Sequence, residues 1–159
     1  VRSAGPRERG WGPASMRKDR RHRARETALQ ILYQWEVGRA GIDQAIETFF
    51  TWQWPDNQPP SEALRGFAEG LARDTVRELS TIDELVAGTA EHWRPERMPI
   101  VDRLILRMAT CELMRDRATP AAVVIDEALE LARTFSTEES VKFINGMLDA
   151  IRKKLDVPR

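Results

Sequence analysis

Apolar residues recur every three or four positions along most of the chain, which is the spacing of one face of an α-helix. In the first such segment Ala24, Ala28, Ile31, Leu32 and Trp35 set this period, and a helix is predicted from residue 17 to about residue 38. No segment alternates convincingly between apolar and polar residues as a half-buried strand would. The pattern predicts an all-α fold.

Turn residues and capping residues divide the periodic sequence into about seven helices. The six that follow the first are predicted at residues 42–53, 61–79, 80–94, 99–115, 119–133 and from 137 onward. Ser61 and Thr137 are predicted N-caps, and Ser80 with Asp83 and Thr81 with Glu84 form two overlapping capping patterns. The segment 99–115 is apolar on nearly every side and should therefore lie at the centre of the molecule.

Two further features concern the first 16 residues and one pair of glycines. Residues 1–16 contain Gly and Pro breakers and no period, so they are predicted to be a disordered extension, with residues 17–159 as a single domain. Met16 opens the basic run and is a candidate initiation residue. Gly66 and Gly70 lie one helical turn apart, which favours close contact with a neighbouring helix.

The formal net charge of zero hides a strong asymmetry along the chain. Residues 1–25 carry nine Lys or Arg and two acidic residues, a net charge of +7, whereas the remaining residues carry a net charge of −7. A basic arm on an acidic body indicates a polyanionic partner for the arm. The longest apolar run, residues 121–125, is too short for a membrane span. The single cysteine allows no disulfide within the chain, which favours a location in the cytoplasm.

Candidate catalytic groups are few. His22 lies in the basic run, His92 lies near a predicted helix end, and Cys111 lies in the most apolar helix, where an inert core thiol is expected. The sequence has no phosphate-binding loop, no dinucleotide-binding motif and no zinc spacing. We therefore expect no enzymatic activity, no cofactor and no metal site.

The run at residues 17–25 (RKDRRHRAR) holds six Lys or Arg and continues directly into the amphipathic part of the first helix. Guanidinium groups bind phosphates in a bidentate manner and stack on bases, so this run is typical of an arginine-rich RNA-binding segment. Tyr33 lies just beyond it and Phe143 lies beside Lys142, so both rings are candidates for contact with bases. A solvated charged tail is the alternative interpretation of this run.

Three stretches together resemble the NusB family of bacterial transcription antitermination factors. They are residues 23–33 (RARETALQILY), 101–113 (VDRLILRMATCEL), and 124–135 (VIDEALELARTF) followed by 142–149 (KFINGMLD). The chain departs from the family's pattern at Asp126, where Asn is common, at Ser136, where Gly is common, and at Cys111, where an aromatic residue is common.

The resemblance implies a compact bundle of about seven helices in two helical subdomains, with a disordered basic N-terminal arm. It implies binding of the single-stranded boxA RNA element of rRNA leaders together with NusE, a small-subunit ribosomal protein, and support of rRNA transcription, with other Nus factors and RNA polymerase as indirect partners. The implied RNA-binding residues are Arg20, Arg21, His22, Arg23, Arg25, Gln30, Tyr33, Lys142 and Phe143. The implied contacts with the protein partner are Asp102, Arg107 and Glu112.

Two other functions stay open at this point. One is an accessory RNA-binding domain like that of RNA cytosine methyltransferases, and the other is a helical scaffold that binds proteins only. A homodimer also stays open.

Overall fold

The computed structural model describes residues 13–90 and 94–159 of the chain. Within these ranges the fold is all-α, with a short π-helical turn and one turn of 3-10 helix. The helices are α1 (Pro13–Val37), α2 (Ile42–Thr48), α3 (Glu62–Arg77), α4 (Leu79–Ala87), α5 (Ile100–Arg115), α6 (Ala121–Phe135) and α7 (Glu138–Lys154). The π-helical turn, Phe49–Gln53, continues α2, and the 3-10 turn is Pro95–Arg97. None of the described helices is long and apolar enough to cross a membrane.

The helices form two groups that share α5. In the first group α1 packs along α3, and α2 packs against both. In the second group α5, α6 and α7 pack on one another, and α4 packs against α5 and α7. Because α5 also contacts α1 and α3, it joins the two groups into one core. This arrangement agrees with the predicted bundle of two helical subdomains.

The prediction that the 99–115 segment lies at the centre is confirmed. Eleven consecutive or near-consecutive side chains of α5 are buried, among them Ile105, Leu106 and Cys111. Three of its charged residues are buried as well, so each needs a partner inside the fold. The predicted inner face of the first helix is also confirmed, since Ala24, Ala28, Ile31 and Leu32 are buried.

Two helix starts follow the predicted capping chemistry. The Ser61 hydroxyl accepts a hydrogen bond from the Leu64 N–H at 3.1 Å, and the Thr137 hydroxyl accepts one from the Ser140 N–H at 3.1 Å. The other predicted caps are wrong, because α4 begins at Leu79 and places Ser80 and Thr81 inside the helix. Asp83 of the predicted capping pattern instead accepts two hydrogen bonds from Arg107 of α5.

The other corrections concern the N-terminal segment and the two glycines. Helix α1 begins at Pro13, four residues before its predicted start at residue 17. The disordered extension stays a prediction, and residues 1–12, like His92, lie outside the described residues. A Cβ at Gly66 or Gly70 would have no atom within 4 Å, so these glycines do not bring two helices into close contact. They line an open groove of about 220 Å³ between α3 and α5.

Candidate nucleic-acid interface

The basic run forms part of α1, and the side chains of residues 20–25 project from a helix whose inner face is fixed to the core. Arg20 and Arg21 are exposed, whereas Ala24, on the inner face, is buried. The Arg21 guanidinium lies 4.4 Å from the centre of the Phe67 ring of α3, which is a cation–π distance. The basic side of α1 is therefore solvent-accessible at Arg20 and Arg21 and close to the start of α3.

Arg25 has a different environment, because its side chain is only 4% exposed. Its Nε and Nη2 donate to the two carboxylate oxygens of Glu112 on α5, at 2.8 and 2.9 Å. Burial opposes the charged guanidinium, but the hydrogen bond and the charge of Glu112 outweigh burial and raise the pKa of Arg25. Arg25 thus joins α1 to α5, and the structure does not present it to a ligand.

His22 also links α1 to the body of the protein. Its Nδ1 lies 2.5 Å from a carboxylate oxygen of Glu127 on α6, and the Glu127 side chain is only 7% exposed. The imidazole itself remains about one-third exposed. His22 therefore positions the basic run relative to α6 and still offers part of its ring to solvent.

Arg23 is held by the loop that follows the π-helical turn. Its Nη2 donates to Asp56 at 2.7 Å, and its guanidinium lies 4.7 Å from the centre of the Trp54 ring. Both members of the ion pair are nearly half exposed, so the pair is exchangeable with solvent and with other anions. A phosphate that binds Arg23 must compete with Asp56.

Gln30 and Tyr33 lie further along α1, at a groove of about 340 Å³. Tyr33 is 41% exposed, and Phe135, at the end of α6, lines the same groove and is 39% exposed.

Lys142 and Phe143 are exposed on α7. The Ser140 hydroxyl, just before them, donates to Asp102 near the start of α5, and Val101 beside Asp102 lines the groove. The beginning of α7 is thereby held near one end of the groove.

The three residues predicted to contact a protein partner are all buried. Asp102 accepts hydrogen bonds from the hydroxyls of Ser136 and Ser140 and so joins α5 to the α6–α7 junction. Arg107 makes two hydrogen bonds to Asp83 of α4, at 2.8 and 2.9 Å, and Glu112 is the partner of Arg25. Each side chain is less than 10% exposed. Structural roles account for all three, and their contact with a partner stays a prediction.

Sequence reasoning did not find several residues of this surface. Trp54 and Asp56 lie in a turn-rich loop. Asp56 stands 33 residues after Arg23, and nothing in the local sequence indicates that the two side chains contact each other. Glu127 and Phe135 both stand in the 124–135 motif, and nothing in that motif indicates that either lies close to α1. The burial of Arg25 had a signal in the sequence, because Leu29 and Leu32 lie four and seven residues later on the same side of the helix.

The model of the NusB family matches residues 22–153. The chain belongs to the NusB family. It is 48% identical to the transcription antitermination protein NusB of Solibacter usitatus over 138 residues, which are 87% of this chain and 92% of that protein. Among solved structures, NusB of T. maritima is 36% identical, with a TM-score of 0.75 over 84% of this chain and 91% of that one.

A second solved structure of the family contains a partner protein and RNA. The structure of the antitermination factors NusB and NusE in complex with dsRNA matches with 25% identity and a TM-score of 0.73, over 87% of this chain and 98% of that one. That structure pairs a NusB protein with NusE and with double-stranded RNA, whereas the resemblance implies NusE and a single-stranded RNA for this chain.

Proposed function

We propose that this chain is a cytoplasmic transcription antitermination factor that binds boxA-type single-stranded RNA together with NusE and supports rRNA transcription. Family membership supports the antitermination role, and the solved NusB–NusE complex with dsRNA supports the two ligands. The observation that carries the RNA-binding role is the exposed basic and aromatic surface along α1, with Arg20, Arg21, Arg23 and Tyr33. In this role the chain binds and positions RNA and performs no chemical step.

The proposed contacts divide into phosphate contacts and base contacts. Arg20, Arg21, Arg23 and Lys142 supply positive charge at exposed or half-exposed positions, so they are suited to phosphates. Tyr33 and Phe143 present exposed rings, and stacking of a base on an aromatic ring contributes about 1–3 kcal/mol. Arg25 is left out of this set because Glu112 already binds its guanidinium.

The number of phosphate contacts predicts the salt dependence of binding. Each phosphate neutralised on a single strand contributes about −0.7 to the slope of log K against log salt. Four contacts therefore predict a slope of about −2.8. Replacing Arg20 and Arg21 by Gln should reduce its magnitude to about 1.4, because two of the four contacts are lost.

The test is fluorescence anisotropy with a boxA-like RNA and a scrambled RNA, with and without NusE, over a salt series. We expect tighter binding to the boxA-like strand and a further gain when NusE is present. The control variant is Arg77→Gln, which removes one exposed charge at the far end of α3 and should leave the slope unchanged. Equal binding of both RNAs, unaffected by NusE, would contradict the proposal and leave a helical scaffold with a basic helix.

A further inference from the structure

The contact between His22 and Glu127 determines which nitrogen of the imidazole carries a proton. Nδ1 of His22 lies 2.5 Å from a carboxylate oxygen of Glu127 on α6, and the Glu127 side chain is only 7% exposed. A buried carboxylate needs a hydrogen-bond donor, because a polar group without a partner is costly inside a fold. An ionised carboxylate only accepts hydrogen bonds, so Nδ1 is the donor and carries the proton.

The second ring nitrogen, Nε2, therefore changes its chemistry with pH. A neutral imidazole has one N–H, and because Glu127 holds it at Nδ1, Nε2 is left as an acceptor. A phosphate oxygen is also an acceptor, so neutral His22 has nothing to donate to RNA at Nε2. In the imidazolium both nitrogens donate, and Nε2 then offers an N–H together with a positive charge.

His22 lies on the path between the proposed base contact and the proposed phosphate contacts of α1. His22 and Tyr33 are eleven residues apart, which is about three turns, so they share one side of the helix about 16 Å apart along its axis. Arg21 and Arg23 flank His22 in the sequence, and the imidazole is about one-third exposed. A strand that runs along α1 from Tyr33 to the basic run therefore passes this ring.

The charged groups around the pair leave Glu127 in control of the Nδ1 proton. Glu26, one turn later on α1, has a carboxylate oxygen 4.0 Å from Nε2, which is longer than a hydrogen bond. The charge of Arg25 also acts on Glu127, but the Arg25 guanidinium donates its hydrogen bonds to Glu112 of α5. Neither group replaces the contact between Nδ1 and Glu127.

We propose that Glu127 is a positioning residue for RNA binding, which keeps the proton of neutral His22 on Nδ1, so that the imidazole binds an RNA phosphate through Nε2 only when it is protonated. The proposal rests on the RNA-binding function and adds one pH-dependent phosphate contact to the four contacts that Arg and Lys supply. RNA affinity should therefore rise as the pH falls from 8 to 5, the range in which imidazoles change charge.

The first test measures the salt dependence of binding to a boxA-like RNA by anisotropy at about pH 8 and about pH 5.5. Four phosphate contacts predict a slope of about −2.8 at the higher pH, and a fifth contact predicts about −3.5 at the lower pH. At fixed salt the affinity should rise by up to about fivefold, the range for one exposed ionic contact. Burial raises the pKa of Cys111 to about 11, so this thiol does not change charge in the range.

Variants of the two histidines assign the effect. His22→Arg, which is always charged, should keep the steeper slope at both pH values. His22→Gln, which is never charged, should keep the shallower slope at both. His92→Gln is the matched control, because it removes the other histidine of the chain and should keep the pH dependence of the wild type.

Glu127→Gln separates positioning of the imidazole from support of the fold. A glutamine amide can accept from Nδ1–H or donate to bare Nδ1, so neutral His22 can then carry its proton on Nε2 and donate to a phosphate. This variant should therefore bind RNA more tightly than the wild type at about pH 8, where imidazoles are neutral. A purely structural role of Glu127 would instead lower the affinity at both pH values, and that result would overturn the proposal.

NMR of the 15N-labelled chain reads the tautomer directly and does not depend on RNA. At about pH 8 the wild-type His22 should be protonated on Nδ1, and Glu127→Gln should shift it toward the Nε2-protonated form. If the wild-type ring carries its proton on Nε2, or if the salt slope is the same at both pH values while the boxA-like strand is still preferred, this proposal is wrong and the RNA-binding function stands. If the wild-type chain shows no preference among RNAs at either pH, both proposals fail.

Discussion

Replacing Arg25 should lower the stability of the fold, because its guanidinium belongs to a buried ion pair and does not contact RNA directly. Arg25 and Glu112 are 4% and 6% exposed and share two hydrogen bonds between α1 and α5. Removing one partner of a buried ion pair leaves an uncompensated buried charge, which costs about 3–5 kcal/mol. Arg25→Ala should therefore reduce the free energy of unfolding by that amount. This is a large share of the roughly 5–15 kcal/mol of a typical domain.

The assay is urea unfolding followed by circular dichroism at 222 nm, with thermal unfolding alongside it. For a chain of this length 1 kcal/mol corresponds to about 2–4 °C, so the midpoint should fall by about 6–20 °C. Arg23→Ala is the matched control, since Arg23 lies two residues earlier in a half-exposed ion pair and should cost less than about 1 kcal/mol. The double variant Arg25→Met with Glu112→Leu should recover most of the loss, because apolar side chains need no partner there.

One result would refute this reasoning. If Arg25→Ala unfolds within about 1 kcal/mol of the wild type and yet loses RNA affinity more than Arg23→Ala does, Arg25 is an RNA contact. The buried pair would then be dispensable for the fold, and the slope of log K against log salt would lose the contribution of one phosphate.

Three further predictions follow from single contacts. Asp56→Asn should raise RNA affinity in low salt by up to about fivefold, because the Asp56 carboxylate that competes for Arg23 forms an exposed ion pair of about 0.2–1 kcal/mol. Unchanged affinity in anisotropy would show that Asp56 does not compete with RNA for Arg23. Burial raises the pKa of Cys111 to about 11, so a thiol reagent at pH 8 should label it only after denaturant is added, and labelling of the native protein would contradict its burial. Ser61→Ala should cost about 0.5–2 kcal/mol in urea unfolding because the Leu64 N–H loses its acceptor, and no change would mean that water replaces the cap.

The sequence predicted the helices well because their signals are local. The three- to four-residue period of α1 is set by its own inner residues, and Ser61 caps a helix whose first turn follows it directly. The same reasoning failed at Ser80 and Thr81, where a capping pattern stands inside a helix that begins at Leu79. There the carboxylate of Asp83 accepts hydrogen bonds from Arg107 of α5, 24 residues later, so this tertiary ion pair overrides the local capping preference.

The site was less predictable because the charge of a residue does not show whether its side chain is buried or exposed. Arg23 and Arg25 look alike in the basic run, but one contacts an exposed loop and the other a buried carboxylate on α5. Only the helical phase of Arg25 with Leu29 distinguishes them. The residues that complete the groove, such as Phe135 and Gln53, come from segments about 80 residues apart, so only the fold brings them together.

The internal contacts of the basic side chains also bear on how the proposed RNA is selected. Arg21 lies on the Phe67 ring and Arg23 lies between Trp54 and Asp56. An RNA phosphate must displace or share these contacts, so each arginine contributes less to affinity than a free guanidinium would. We therefore expect a strand that offers phosphates alone to bind weakly, because the acidic remainder of the chain repels it elsewhere. On the proposed function, discrimination between RNAs then comes from base contacts, for which Tyr33 and Phe143 present exposed rings.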